Sequence, residues 1–260
     1  MKINRFSSAV SGIIMLFAAG LLCISVTACK VKSSTFKSSS KSIRVLIVGG
    51  GSSHNFDLWY KGADAQTLKN AGFGPVTYTS NTDSIDEYLK NTDVLYLTNN
   101  QPIKDPEARK SILDHIAAGK GLVIGHAALW YNWKDWSEYN LNIAGGGSNG
   151  HDKYGSFDVI VINNNHPVTK GVPAKITLKD ERYYYLPDAS GPGIEVLANN
   201  SVAGFDKIYP SIFVVKNPKA RIVGIALGHD AESHENQAYQ TILTNAIKWV
   251  AKSKYHRQLD

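Results

Sequence analysis

The chain has 260 residues, of which 28 are Lys or Arg and 22 are Asp or Glu, for a formal charge of +6. Six of the basic residues (Lys2, Arg5, Lys30, Lys32, Lys37 and Lys41) and no acidic ones fall within residues 1–41, so the remainder carries 22 basic against 22 acidic side chains. The basic excess therefore belongs to the N-terminal stretch and is not a nucleic-acid footprint; no nucleic-acid partner is expected. Both cysteines, Cys23 and Cys29, lie in that same stretch, which excludes a cysteine nucleophile, a zinc–thiolate cluster and a disulfide framework for the folded part.

Residues 1–28 read as an export signal, with Lys2 and Arg5 before an apolar run over residues 13–26. The segment ends Val26-Thr27-Ala28-Cys29, which resembles a bacterial lipoprotein lipobox. The resemblance implies cleavage after Ala28 and acylation of Cys29. The chain would then touch a membrane only through its lipid anchor, at the periplasmic or outer surface of a bacterial envelope. An ordinary secretory signal ending at Ala28 and an uncleaved helix are the alternatives. Residues 29–42, rich in Ser and Lys, read as a tether, and residues 43–260 as one domain large enough to need no covalent staples.

The domain opens on a β-branched run over residues 43–48, and residues 93–98 and 121–125 repeat the pattern of a strand covered on both faces. Helical signals fall between them. Ser84-Ile-Asp-Glu87 has capping-box spacing, and Asp105-Pro106 places a cap and an N1 proline before Ala108, Ile112 and Ile116, with Gly119 as a stop. At the C-terminus Tyr239, Ile242, Leu243, Ala246, Ile247 and Val250 form one apolar stripe at helical spacing. Residues 156–163 and 194–225 look strand-rich and are expected to add antiparallel strands at one edge. The predicted fold class is α/β: a three-layer sandwich around a mostly parallel sheet.

Several polar residues sit where such a sheet would place a ligand, at the carboxyl ends of strands. Gly49-Gly-Gly-Ser-Ser-His54 follows the first strand, but His54 replaces the third glycine of a dinucleotide fingerprint, so the motif reads either as a plain turn or as a polar loop presenting His54. Gly121-Leu-Val-Ile-Gly-His126 runs from a strand into a turn where a nucleophile elbow would carry Ser or Cys; His126 there argues against acyl transfer. Residues 129–136 hold Trp130, Trp133 and Trp136, either core or a platform for stacking a sugar face. Residues 145–151 read as a Gly-rich loop ending in His151, His166-Pro167 as a turn, and Glu181 either as a base or ligand or as a solvated turn charge. His229-Asp230 follows the apolar run 222–227. His115, His234 and His256 are expected at the surface.

Together these elements resemble the ThuA-like (trehalose-utilisation) family, which has a class I glutamine amidotransferase-like, flavodoxin-like fold. The resemblance is carried by the Gly-rich turn with His54, Gly-Leu-Val-Ile-Gly-His126, the loop with His151 and His166-Pro-Val-Thr-Lys-Gly. It continues through Asp180-Glu181, Pro210-Ser-Ile-Phe-Val-Val215, Leu227-Gly-His-Asp230 and Asn245-Ala-Ile-Lys-Trp249, covering about residues 43–251. One departure is that His54-Asn-Phe-Asp57 stands where the family usually has His-Asp. The resemblance implies carbohydrate catabolism on a small sugar or glycoside, most concretely cleavage of 3-keto-glycosides; without an elbow cysteine, glutamine hydrolysis is not implied. That chemistry needs a base, an acid and stabilisation of an enediolate. Glu181 or Asp230 is the expected base, and His126 and His229 complete the catalytic set. Trp130, Trp133, Tyr183 and His151 are the expected substrate contacts, and His54, His151 and His229 the expected ligands of a divalent metal such as Zn, Mn or Fe. A non-catalytic sugar-binding lipoprotein is the alternative.

Overall fold

The computed structural model describes residues 42–130 and 133–252. The leader, Cys29, the tether apart from Ser42, and His256 lie outside the described residues. No helix among the described residues is long and apolar enough to cross a membrane.

Apolar four- and five-residue runs bury both faces and become the sheet's centre. β1 (Val45–Val48), β3 (Val94–Leu97), β4 (Gly121–Gly125) and β11 (Ile222–Ile225) are buried at every position. With β2 (Val76–Thr79) they form a parallel set in the order β2-β1-β3-β4-β11. The sheet then continues antiparallel through β10 (Tyr209–Val215), β9 (Ile194–Ser201), β6 (Gly155–Val161) and β7 (Lys175–Asp180), nine strands in all. The strand-rich segments thus join the large sheet as its antiparallel half. A separate two-stranded ribbon pairs β5 (Gly146–His151) with β8 (Tyr183–Pro187). Residues 145–151, expected as a loop, are therefore mostly strand, because the backbone of β8 supplies hydrogen-bond partners that a local reading cannot see.

Helices cover both faces. A wide π-helical turn (Asp57–Asp64) leads into α1 (Ala65–Asn70), which shares one core with α5 (Gln237–Ala251). The α5 stripe is buried at each of its six predicted positions. On the opposite face α2 (Ile85–Leu89) and α3 (Pro106–Ala117) pack into a second core. Asp105 caps α3 by accepting from the Glu107 and Ala108 amides. The capping box at Ser84 does not form. Asn81 caps the preceding 3-10 turn instead, and the Ser84 hydroxyl donates to the Asn81 carbonyl. The short α4 (Ala231–His234) follows β11.

Candidate active site at the carboxyl edge of the sheet

β4 and β11 are parallel neighbours, with Gly125 level with Ile225. The turns that leave them open at the same edge and bring His126 and His229 together. His126 has φ of 21°, inside the left-handed region that side chains avoid. The residues around this elbow are small by necessity: a Cβ on Gly125 would lie 2.8 Å from the Tyr96 ring, and one on Gly228 would lie 2.9 Å from the Tyr60 hydroxyl. His54 arrives from the turn after β1. Glu181 arrives from β7, whose alternation turns Ile176, Leu178 and Asp180 inward and leaves Glu181 in the link to β8.

The four side chains converge. His126 Nε2 lies 3.4 Å, His229 Nδ1 3.3 Å and His54 Nε2 4.0 Å from Glu181 Oε2. One ligand-capable atom from each lies within 4.8 Å of the others. His151 Nε2 stands 3.8 Å from the other carboxylate oxygen, Oε1. None of the three nearest nitrogens makes a hydrogen bond, although all are buried from solvent. Leaving such an atom unpaired costs roughly 1–3 kcal/mol, so three together mark a place where something outside the chain supplies the partner.

The tautomers sharpen this reading. Nδ1 of His54 faces the Ser52 carbonyl at 3.1 Å, that of His126 the Ala226 carbonyl at 2.9 Å, and that of His151 the Asp152 carbonyl at 2.6 Å. A carbonyl only accepts, so each Nδ1 carries a proton, and in the neutral ring each Nε2 turns a bare lone pair toward Glu181. Lone pairs aimed at a carboxylate repel unless positive charge lies between them. Backbone carbonyls that orient imidazoles through the far nitrogen are the usual support of a metal-binding histidine. The 4.8 Å span is close to what two bonds of about 2.1 Å cover. Imidazole and carboxylate donors without thiolate suit Zn, Mn or Fe. The residues therefore fit a divalent cation, held by His54, His126, His229 and Glu181.

Electrostatics agree with the geometry. Burial alone would raise the Glu181 carboxyl, but proton donation from His126 and His229, where no cation lies between them, holds it well below the usual carboxylate range. The same carboxylate raises His229 against its partial burial. His54 is pushed down to about 4, by burial first and then by the neighbouring His126.

A cavity of about 320 Å³ opens beside the cluster, lined by Ser52, His54, Asn100, Trp130, His151, Glu181 and Tyr183 among others. Trp130 meets His151 with ring centres 5.6 Å apart and Tyr183 at 5.4 Å, while Tyr183 stacks on His126 at 4.3 Å. Trp130 and His151 thus line a cleft that reaches His54 and Glu181 of the cluster.

Other expected residues are placed elsewhere. Asp230 is not in the cluster: its carboxylate caps α4, accepting from the Glu232 amide at 3.1 Å. Trp133 lies in the core, its ring centre 3.9 Å from that of Tyr139, and offers nothing to the cleft. His151 flanks the group, where a place among the metal ligands was expected, and His126 takes that place. His166 accepts from the Val168 amide in the turn expected of it. His115 and His234, expected at the surface, are buried at 4% and 0% exposure because each finds an internal acceptor, the Gly121 carbonyl for His115 and Asp64 for His234.

Two buried carboxylates were given no role by the sequence, although Asp180 stands in one of its motifs. Asp180, 1% exposed, accepts from the amides of Glu181 (2.6 Å) and Gly228 (2.9 Å) and from the Ser233 hydroxyl. Its signal was the period-2 alternation Ile176, Leu178, Asp180. Asp64 is fully buried, and its signal was the helical spacing Tyr60, Asp64, Leu68.

Comparison with known proteins bears on the family and the fold. The ThuA family, described as trehalose utilisation, matches residues 44–250. The chain belongs to the ThuA family. A ThuA-like protein from Parabacteroides merdae superposes with a TM-score of 0.70 at 22% identity, covering 82% of this chain and 91% of that one. A second, from Bacteroides uniformis, gives 0.67 at 23% identity, covering 83% and 95%. More distantly, PurLQS from Thermotoga maritima gives 0.51 at 13% identity, covering 80% and 99%. At these identities the likeness is one of fold, and the fold is glutamine amidotransferase-like. No curated protein matches the chain.

Proposed function

We propose that this ThuA-family protein is a carbohydrate-active enzyme that cleaves 3-keto-glycosides by elimination and hydration. The observation that carries the reading is the convergence of His54, His126, His229 and Glu181, of which His54 and Glu181 line the Trp130–His151 cleft. A cavity of about 320 Å³ is at the small end of ligand pockets, suited to one sugar ring with its neighbour entering from solvent.

A ketone at C3 acidifies the proton on C2. His151, its Nδ1 proton committed to the Asp152 carbonyl, has a bare Nε2 at the cleft wall and is the group to accept that proton. The electron pair moves onto the C3 oxygen, and its return expels the C1 substituent, which takes the proton from the His151 imidazolium as it leaves. Glu181 Oε1, 3.8 Å away, stabilises the His151 imidazolium that forms. Water then adds across C1 and C2. A divalent cation held by His54, His126, His229 and Glu181 would supply positive charge to an enediolate oxygen. Trp130 offers an indole face to the C–H surface of the ring, and Ser52 and Asn100 offer polar atoms at the rim.

The test uses the full chain purified in detergent, with a disaccharide and its 3-keto derivative as substrates. Release of free sugar is expected from the keto form alone. It should fall about 100-fold or more in His229→Ala and after chelation, with Zn or Mn restoring the chelated wild type. Saturable binding of the unoxidised disaccharide with no turnover of either compound would overturn the enzyme and favour the sugar-binding alternative, which the same aromatic cleft would serve.

A further inference from the structure

Behind the cluster lies a second group of titratable residues that the proposed reaction does not use. Asp64 and His234 are both fully buried, with His234 Nδ1 2.7 Å from Asp64 Oδ1. The other ring nitrogen, Nε2, lies 3.0 Å from the Gly228 carbonyl. Asp64 Oδ2 accepts from the hydroxyls of Tyr96 at 3.0 Å and Tyr239 at 3.1 Å, as an ionised carboxylate would. Both partners of the imidazole are thus acceptors, so both of its nitrogens carry protons and the buried ring is an imidazolium. Burial works against that charge, yet Asp64 holds the ring above its ordinary value.

The Gly228 peptide unit is where this network meets the site. Its carbonyl accepts a second bond, from Tyr60 at 2.7 Å, and its amide donates to Asp180 at 2.9 Å. Gly228 itself has φ of +132°, where a side chain would be strained. The next residue is His229. Its three partner imidazoles, His54, His126 and His151, are each oriented by a ring bond to a backbone carbonyl. The His229 ring packs against Tyr154, with centres 5.5 Å apart, and its backbone is held from below, its amide facing Asp180 at 3.4 Å.

We infer that His234, paired with Asp64, is a positioning residue for His229: a buried imidazolium that fixes the Gly228 carbonyl and so aims His229 at Glu181. The inference rests on the reading of the cluster as a working site, but its geometry can be tested apart from that reading.

His234→Gln removes the charge and keeps an amide near the same acceptors. In the metal-free crystal structure of this variant, the His229 ring should leave its 3.3 Å contact with Glu181 while the fold persists. An unmoved His229 would overturn the inference whether or not the protein proves to be an enzyme. By calorimetry with Zn alone, the variant should bind about 10- to 100-fold more weakly than wild type. Wild type that binds no Zn would defeat the metal reading and leave the crystallographic arm to decide this one. Should His234→Gln not fold, Tyr60→Phe removes the other donor to the same carbonyl and should move His229 and Zn affinity in the same direction by a smaller amount. Unchanged Zn affinity and an unmoved ring in Tyr60→Phe would count against the device. A merely structural role would lower thermal stability and leave both readouts of the folded protein unchanged.

Discussion

On one side of the Gly228 peptide, three imidazole nitrogens and a carboxylate converge with no hydrogen bond to those nitrogens. On the other side, the hydroxyls of Tyr60, Tyr96 and Tyr239, the Asp64 carboxylate and both nitrogens of His234 are all matched. Both groups are built on histidine and a carboxylate, and a single residue separates them. What differs is where the partners come from. A histidine satisfied within the chain is scaffold, whereas histidines left short of a partner beside a cleft await one from outside. Residue type alone would have classed the two groups together.

Asp180 touches both sides, so its loss should have the largest effect. Asp180→Asn sets an amide N–H against donors from Glu181, Gly228 and Ser233. Urea unfolding should show a loss of roughly 3 kcal/mol or more. A variant as stable as wild type would mean that the negative charge is dispensable and would break the division into scaffold and site.

His115 sharpens the comparison by showing a buried histidine with no carboxylate partner. Burial pushes its pKa down to about 4, the reverse of His234. The unfolded state, with a pKa near 6.5, takes up the proton first, so this contribution to stability is complete above that value. It is lost as pH falls toward 4. Between pH 7 and pH 5 the loss should be about 2 kcal/mol, and His115→Gln should lack it. Parallel stability curves for wild type and variant across that range would remove His115 as the contrasting case.

The smallest effect is expected at Asp230, the immediate neighbour of His229. Asp230→Ala deletes a helix cap and should cost about 1 kcal/mol in unfolding experiments. Sugar release, where measured, should stay within a factor of about two of wild type, because the cap lies outside the cluster. A loss as deep as that of His229→Ala would return Asp230 to the chemistry.

The sheet was legible because its signals are local. Buried runs such as residues 121–125 declare a strand within five residues, and the α5 stripe declares its buried face within four turns. The edge of the sheet at which His54, His126 and His229 gather followed from strand-end logic applied to those runs. The division of labour between neighbouring acids was not legible. Asp180 and Glu181, or His229 and Asp230, are adjacent in sequence, and only the pleat of β7 and the cap of α4 send one inward and the other elsewhere. The burial of His115 and His234 was equally hidden. It depends on acceptors such as Asp64, 170 positions away from His234, that no local pattern reveals.

The pairing of β4 with β11, which sets Gly125 level with Ile225, also has a consequence in time. It closes a stretch of about 100 residues, an entropic cost paid late compared with the shorter closures that join β1, β2 and β3. As the chain leaves the ribosome, the four N-terminal parallel strands can pair while β11, α4 and α5 are still unmade. His126 then stands at its elbow with no His229 to face, and β4 presents an unpaired edge. A nascent chain stalled before residue 222 is therefore exposed to edge-to-edge association, and the four-residue cluster is complete only when the last strand docks.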